Sequence, residues 1–105
     1  MVRGEVFHLP APRKVRGHGQ RGARYAVVVQ SDEFLHLSTT LVAPTSASVR
    51  AASYRPVITL DDTLTRVLVE QTTVVDPQRL GGSAGRLSAS ELRAVDEALL
   101  LLLGI

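Results

Sequence analysis

The chain has 105 residues and a mass of 11.3 kDa, is 45% hydrophobic and 21% charged, and so reads as one folded domain over 1–105 rather than a disordered chain. It contains no Cys, which excludes disulfide scaffolds, thiolate metal sites and thiol nucleophiles, and no apolar run approaches the roughly 20 residues of a membrane span. Net charge is only +2, yet Arg3, Arg13, Lys14, Arg16, Arg21 and Arg24 face Glu5 alone in the first 24 residues, a local +5 that suggests a polyanion partner or a solvated basic loop.

No hydrophobic signal segment follows Met1, so a cytoplasmic protein is expected. Val2 to Leu9 reads as a strand stopped by Pro10 and Pro12. Residues 10–23 form a long basic loop punctuated by Gly17, Gly19 and Gly22, and a connection of that length is functional or disordered. Tyr25 to Gln30 is an uncharged β-branched run, the pattern of a strand buried on both faces. Ser31 to Glu33 breaks it. Thr39 to Ala43 is a further strand, closed by Pro44, and residues 45–53 are a small polar loop. Tyr54 to Leu60 is a strand that Pro56 places at an edge, and Asp61-Asp62 marks a turn. Arg66 to Val75 reads as one strand ended by Pro77. Gly81-Gly82 is a link, and Ala84 to Leu87 a short closing strand.

The C-terminus is helical. Ser88 and Glu91 fit a capping box, Leu92, Val95, Leu99 and Leu102 recur on one face, and Gly104 suits the stop. Leu99 to Leu103 is apolar on every side of the helix, which predicts burial all round and points to a partner subunit. Five or six short strands followed by one helix predict a mostly β fold, a small curved antiparallel barrel with a helix packed on it.

His8, His18 and His36 have no metal-ligand spacing, so neither a metal nor a cofactor is expected. What remains is metal-free phosphate chemistry. In RNA the 2′-OH supplies the nucleophile, and the protein need only move protons and stabilise charge. Arg24 stands before one strand and Thr45 directly after another, so both face one cleft if those strands are neighbours.

The order of segments carries more than any one of them. RGEVF at 3–7, GHGQRGARYAVVVQS at 17–31, LVAPTS at 41–46, VLVEQ at 67–71 and GRLSASELRAVDEAL at 85–99 follow one another. In this order the chain resembles the MazF/PemK family of toxin endoribonucleases, over about residues 2–105. The resemblance implies a small SH3-like barrel with a C-terminal helix. It implies a homodimeric, metal-independent cutter of single-stranded RNA, mainly messenger RNA, neutralised by an antitoxin with an acidic C-terminal segment, with no membrane partner.

It places the catalytic Arg on Arg24 and the catalytic Thr on Thr45, with Ser46 in the adjoining hydroxyl position and Gln71 in support. The family's Pro-x-Thr spacing is shortened here to Pro44-Thr45. Arg13, Lys14, Arg16, Gln20, Arg21 and Arg50 would contact the RNA, and His18 is the one nearby group that titrates near neutrality. Two other readings stand beside it. One is a CcdB-type poison of DNA gyrase that docks through residues 99–105, and the other a non-catalytic RNA-binding barrel.

Overall fold

The β-branched and aromatic runs form strands, and the capped leucine-rich segment forms the helix. The computed structural model describes residues 1–10 and 24–105. Within them lie β1 (Glu5–His8), β2 (Tyr25–Val28), β3 (Thr40–Ser46), β4 (Val57–Leu60), β5 (Thr63–Val67), β6 (Thr73–Val75) and β7 (Ser83–Arg86), followed by α1 (Ala89–Leu103). Every strand pairing is antiparallel. The order across the sheet is β4-β5-β3-β2-β1-β7, and β6 pairs with β3 beside that path. The sheet curves into a half-barrel with the helix packed on it, the expected mostly β architecture.

Most predicted strands are present in shortened form, and two expectations are corrected. Arg66 to Val75 is not one strand. β5 ends at Val67, a 3-10 turn spans Val69–Gln71, and β6 begins at Thr73. Pro44 does not close β3, which runs through it to Ser46. The reason is directional, because a residue's N–H and C=O point to the same neighbouring strand. The Pro44 carbonyl accepts the Leu68 N–H (2.8 Å), so the N–H that proline lacks would have pointed away from β2. The ladder with β2 therefore loses nothing. Asp61 and Asp62, with φ of 51° and 59°, form the two-residue turn of the β4–β5 hairpin.

β2 is buried along its whole length, as its composition predicts. Tyr25 and Val27 face the principal core with Val6, Ala43, Ile58, Val67, Val95 and Ala98. Ala26 and Val28 face a smaller cluster with Val42, closed by Phe7, Leu9, Leu35, Val75 and Leu80. α1 contributes Val95 and Ala98 fully, with Leu92 and Leu99 partly buried against the same core. Leu100 to Leu103 are exposed in the single chain, and Leu101 and Leu103 show 60% and 65% of their surface. The helix touches the sheet on one side only, so an all-round apolar turn leaves its outer residues in solvent. Arg3 fastens the N-terminus to the same body. Its backbone N–H donates to Asp32 (2.7 Å), its Nε to the Val29 carbonyl (2.8 Å), and its guanidinium lies 2.7 Å from Asp96 on α1.

Glu91 joins helix to sheet. One carboxylate oxygen accepts the Ser88 N–H (2.8 Å) in the capping box, and the other accepts the Thr59 N–H of edge strand β4 (2.8 Å). Burial raises its pKa, but the backbone donors of Ser88 and Thr59 outweigh that and hold it below the ordinary glutamate value. Glu5 is lowered too, chiefly by the Ser83 hydroxyl (2.8 Å) that ties β1 to β7. A depressed folded-state pKa gives stability that is present above the unfolded value and lost as pH falls through the folded one. Glu91→Ala is therefore expected to lower unfolding free energy by roughly 1–2 kcal/mol near neutral pH. In urea melts the gap between variant and parent should narrow as pH drops below about 4.

Candidate functional site

The end of the sheet where β2 begins and β3 ends is set by register. β2 and β3 pair at Val28 with Val42, Val27 with Ala43 and Ala26 with Pro44. Tyr25 and Arg24 precede Ala26 at this end, and Thr45 and Ser46 follow Pro44. Residues opposed across an antiparallel pair share a face. On its other side β3 changes partner at this point, from β6, last paired at Val42, to β5, where Thr45 meets Val67 and Ser46 meets Arg66.

The two hydroxyls thus part company. Thr45 is paired with Val67 of the principal core and is only 4% exposed. Ser46 is half-buried and, by strand alternation, faces away from Thr45. That face continues across the sheet. Arg66 is paired with Ser46 on one side and with Val57 of β4 on the other. Ser46, Arg66 and Val57 form a row across β3, β5 and β4. Ser46 is oriented by the turn that follows, where its Oγ accepts the Ser48 N–H (3.3 Å).

Arg24 is half-buried, and its Nε is buried with no hydrogen-bond partner among the described residues. Its carbonyl accepts the Leu9 N–H (2.9 Å), so both ends of the basic segment are joined at this site. His18, Arg13, Lys14, Arg16, Gln20 and Arg21 lie outside the described residues. Gln71 is exposed at the end of the 3-10 turn that follows β5, and Arg50 is exposed in the loop after β3.

The sequence did not single out Arg55 or Arg66. The Arg55 Nε and NH2 groups approach one oxygen of Glu70 at 2.8 and 2.7 Å, its NH1 donates to the Arg50 carbonyl (3.1 Å), and the guanidinium lies 5.4 Å from the Tyr54 ring centroid. Arg66 donates to the Arg55 carbonyl (3.2 Å). The loop between β3 and β4 is thereby fastened to the turn that carries Glu70 and Gln71. Arginines before a proline or within a strand give no local signal for such pairing, since the partners are brought together only by the sheet.

Beside Ser46, the residues Ala47, Val49, Val57, Leu64, Thr65 and Arg66 line an open cleft of about 280 Å³. A site with a half-buried guanidinium whose buried Nε has no partner among the described residues, and with a hydroxyl and a further arginine nearby on β3 and β5, can hold an anion and stabilise added negative charge.

The family model described as "PemK-like, MazF-like toxin of type II toxin-antitoxin system" matches residues 2–103. A Mycobacterium tuberculosis (strain ATCC 25618 / H37Rv) protein named "Putative toxin Rv3098A/RVBD_3098A" is 34% identical over 106 residues, across 100% of this chain and 99% of that one. Among solved structures, an endoribonuclease in complex with its cognate antitoxin from a mycobacterial species has a similar fold. Its TM-score is 0.82 at 16% identity, over 100% of this chain and 96% of the other. The Mycobacterium tuberculosis toxin MazF-mt6 gives a TM-score of 0.74 at 21% identity, over 94% and 96% of the two chains. A family match along almost the whole chain, joined by a full-length relative above 30% identity, shows that the chain belongs to the PemK-like, MazF-like toxins of type II toxin–antitoxin systems.

Proposed function

We propose that the chain is a metal-independent endoribonuclease that cuts single-stranded RNA and so arrests translation and growth. The observation that carries the reading is Arg24, half-buried with a buried Nε that has no partner among the described residues, in a chain that belongs to a family of toxins. Solved relatives of the same fold are described as endoribonucleases, one of them bound to its cognate antitoxin.

In the proposed reaction the 2′-OH loses its proton and attacks the adjacent phosphorus, and the 5′-oxygen leaves with a proton. The products are a 2′,3′-cyclic phosphate and a 5′-OH. Arginine stays protonated, so Arg24 is assigned to the charge that grows on the phosphoryl oxygens rather than to base chemistry. The hydroxyl donor comes from the Thr45–Ser46 pair. Ser46 faces outward beside Arg66, and Thr45 holds that corner of the strand from the core side. His18 is the candidate proton carrier, with Gln71 in support.

Arg13, Lys14, Arg16, Gln20, Arg21 and Arg50 would follow the RNA backbone, making affinity fall steeply with salt. The acidic segment of an antitoxin would compete for the same charge. The exposed Leu100 to Leu103, with Ile105 at 85% exposure, form an apolar end that fits a second copy of the chain. A gyrase poison would use that same end, but it would leave Arg24 without a role.

Purified protein should cut single-stranded RNA in the presence of EDTA and leave cyclic phosphate ends. Arg24→Ala should slow cutting at least about 100-fold, as loss of an oxyanion donor does. Ser46→Ala should cost more than Thr45→Ala once each rate is corrected for folded fraction. A requirement for magnesium, or rates indifferent to Arg24→Ala, would overturn the assignment. In sedimentation, the double substitution of Leu101 and Leu103 by Glu should convert a dimer into a single chain.

A further inference from the structure

We infer that the cleft beyond Ser46 is a subsite for one unpaired nucleobase of the bound strand, with Leu64 and Val57 as its apolar walls and Arg66 at its polar end. This rests on the ribonuclease reading above and names where the strand goes after the phosphate at Arg24.

Three observations on one face converge. The first is position. Ser46, Arg66 and Val57 are paired in sequence across β3, β5 and β4, so the cleft starts at the residue that faces the scissile phosphate. Two strand spacings, about 10 Å, separate Ser46 from Val57, which is within reach of a neighbouring nucleotide. The second is chemistry. Of the six lining residues, Ala47, Val49, Val57 and Leu64 are apolar, Thr65 and Arg66 are polar, and none is acidic. Apolar walls with one fixed cation suit a flat heteroaromatic ring on a polyanionic chain, and Arg66 is already oriented by its bond to the Arg55 carbonyl. The third is exposure. Leu64 shows 67% of its surface and Val57 42%, although β4 and β5 turn Ile58, Leu60 and Val67 inward. The fold buries the inner face of this hairpin and leaves Val57 and Leu64 on the outer face with Arg66.

Base contact through aliphatic walls also fits the composition. Two Tyr and two Phe are the only aromatic residues, so stacking platforms are scarce. Tyr54 carries Arg55 on its ring and is partly buried against the core. Leu64 and Val57 take the place of an aromatic platform.

The experiment is an abasic scan of binding. A 2′-O-methyl oligonucleotide, which cannot be cut, is enriched from a random pool for binding to the full chain, and each base in turn is removed. At one position, removal should weaken binding by wild-type protein about tenfold, the cost of losing one base contact. Leu64→Ala should bind the intact strand about as weakly as wild type binds that abasic strand, and should lose little more when the base is also removed. Phe34→Ala, an exposed apolar change elsewhere, should retain the wild-type pattern. A flat scan in wild type overturns the subsite, as does a Leu64→Ala variant that keeps the full loss at that position. A flat scan is also the result expected if an antitoxin side chain, rather than a base, fills the cleft. Binding is read without cutting, so a chain that fails to cleave RNA in EDTA defeats the ribonuclease reading while this scan still judges the subsite.

Discussion

β3 serves three neighbours, and everything at the site depends on where it changes from one to the next. Its first residues are shared between β2 and β6, and its last two turn to β5. The change falls at Pro44, the one residue of the strand that has no N–H to give. Because the Pro44 carbonyl is taken by Leu68, the side lacking an N–H is the side where the partner is being exchanged. A residue with a free N–H there would face the gap between β6 and β5. The bend sets Thr45 inward beside Val67 and leaves Ser46 outward beside Arg66. A one-residue slip in this register would exchange the two hydroxyls.

Around that bend, the arginines differ in what holds them. Arg55 is neutralised by Glu70, stacked near Tyr54 and bonded to the Arg50 carbonyl. Arg66 donates to a carbonyl, and no carboxylate pairs with it among the described residues. Arg24 retains a buried donor without a partner among those residues. Burying a donor without a partner costs about 1–3 kcal/mol, a cost that a bound anion would relieve. Arg55 is structural by this measure, since its nitrogens are already engaged. Arg24 remains the group that a phosphate oxygen would satisfy.

Local signals in the sequence were enough for the strong elements. The β-branched run gave β2, the Asp61-Asp62 pair gave the hairpin turn, and Ser88, Glu91 and Gly104 gave both ends of the helix. Signals that depend on a neighbour were not legible. Proline is a strand breaker in isolation, and only the direction of the Leu68 bond shows why Pro44 is tolerated. The run from Arg66 to Val75 is apolar enough for one strand, but the turn at Val69–Gln71 is needed to pass from β5 to β6. At the site, Arg24 was marked by its place before β2 and by the family resemblance. The division of labour between Thr45 and Ser46 was not, because it is a property of pairing between strands far apart in sequence. The link between Arg55 and Glu70, fifteen residues apart, was hidden for the same reason.

Charge distribution then follows from the anchoring. The +5 of the first 24 residues is concentrated between Leu9 and Arg24, and the bond between those two residues pins the segment's ends at the open edge of the smaller core. A local charge of +5 attracts a polyanion at long range. Long-range attraction of this kind raises the rate of encounter without selecting a sequence. Selection has to come from short-range contacts on the face that carries Ser46 and Arg66. The proposed function thus divides the tasks between the charge that precedes Arg24 in sequence and the cleft beside Ser46. Under the proposed function, an acidic antitoxin segment would compete for that charge without having to imitate a nucleotide.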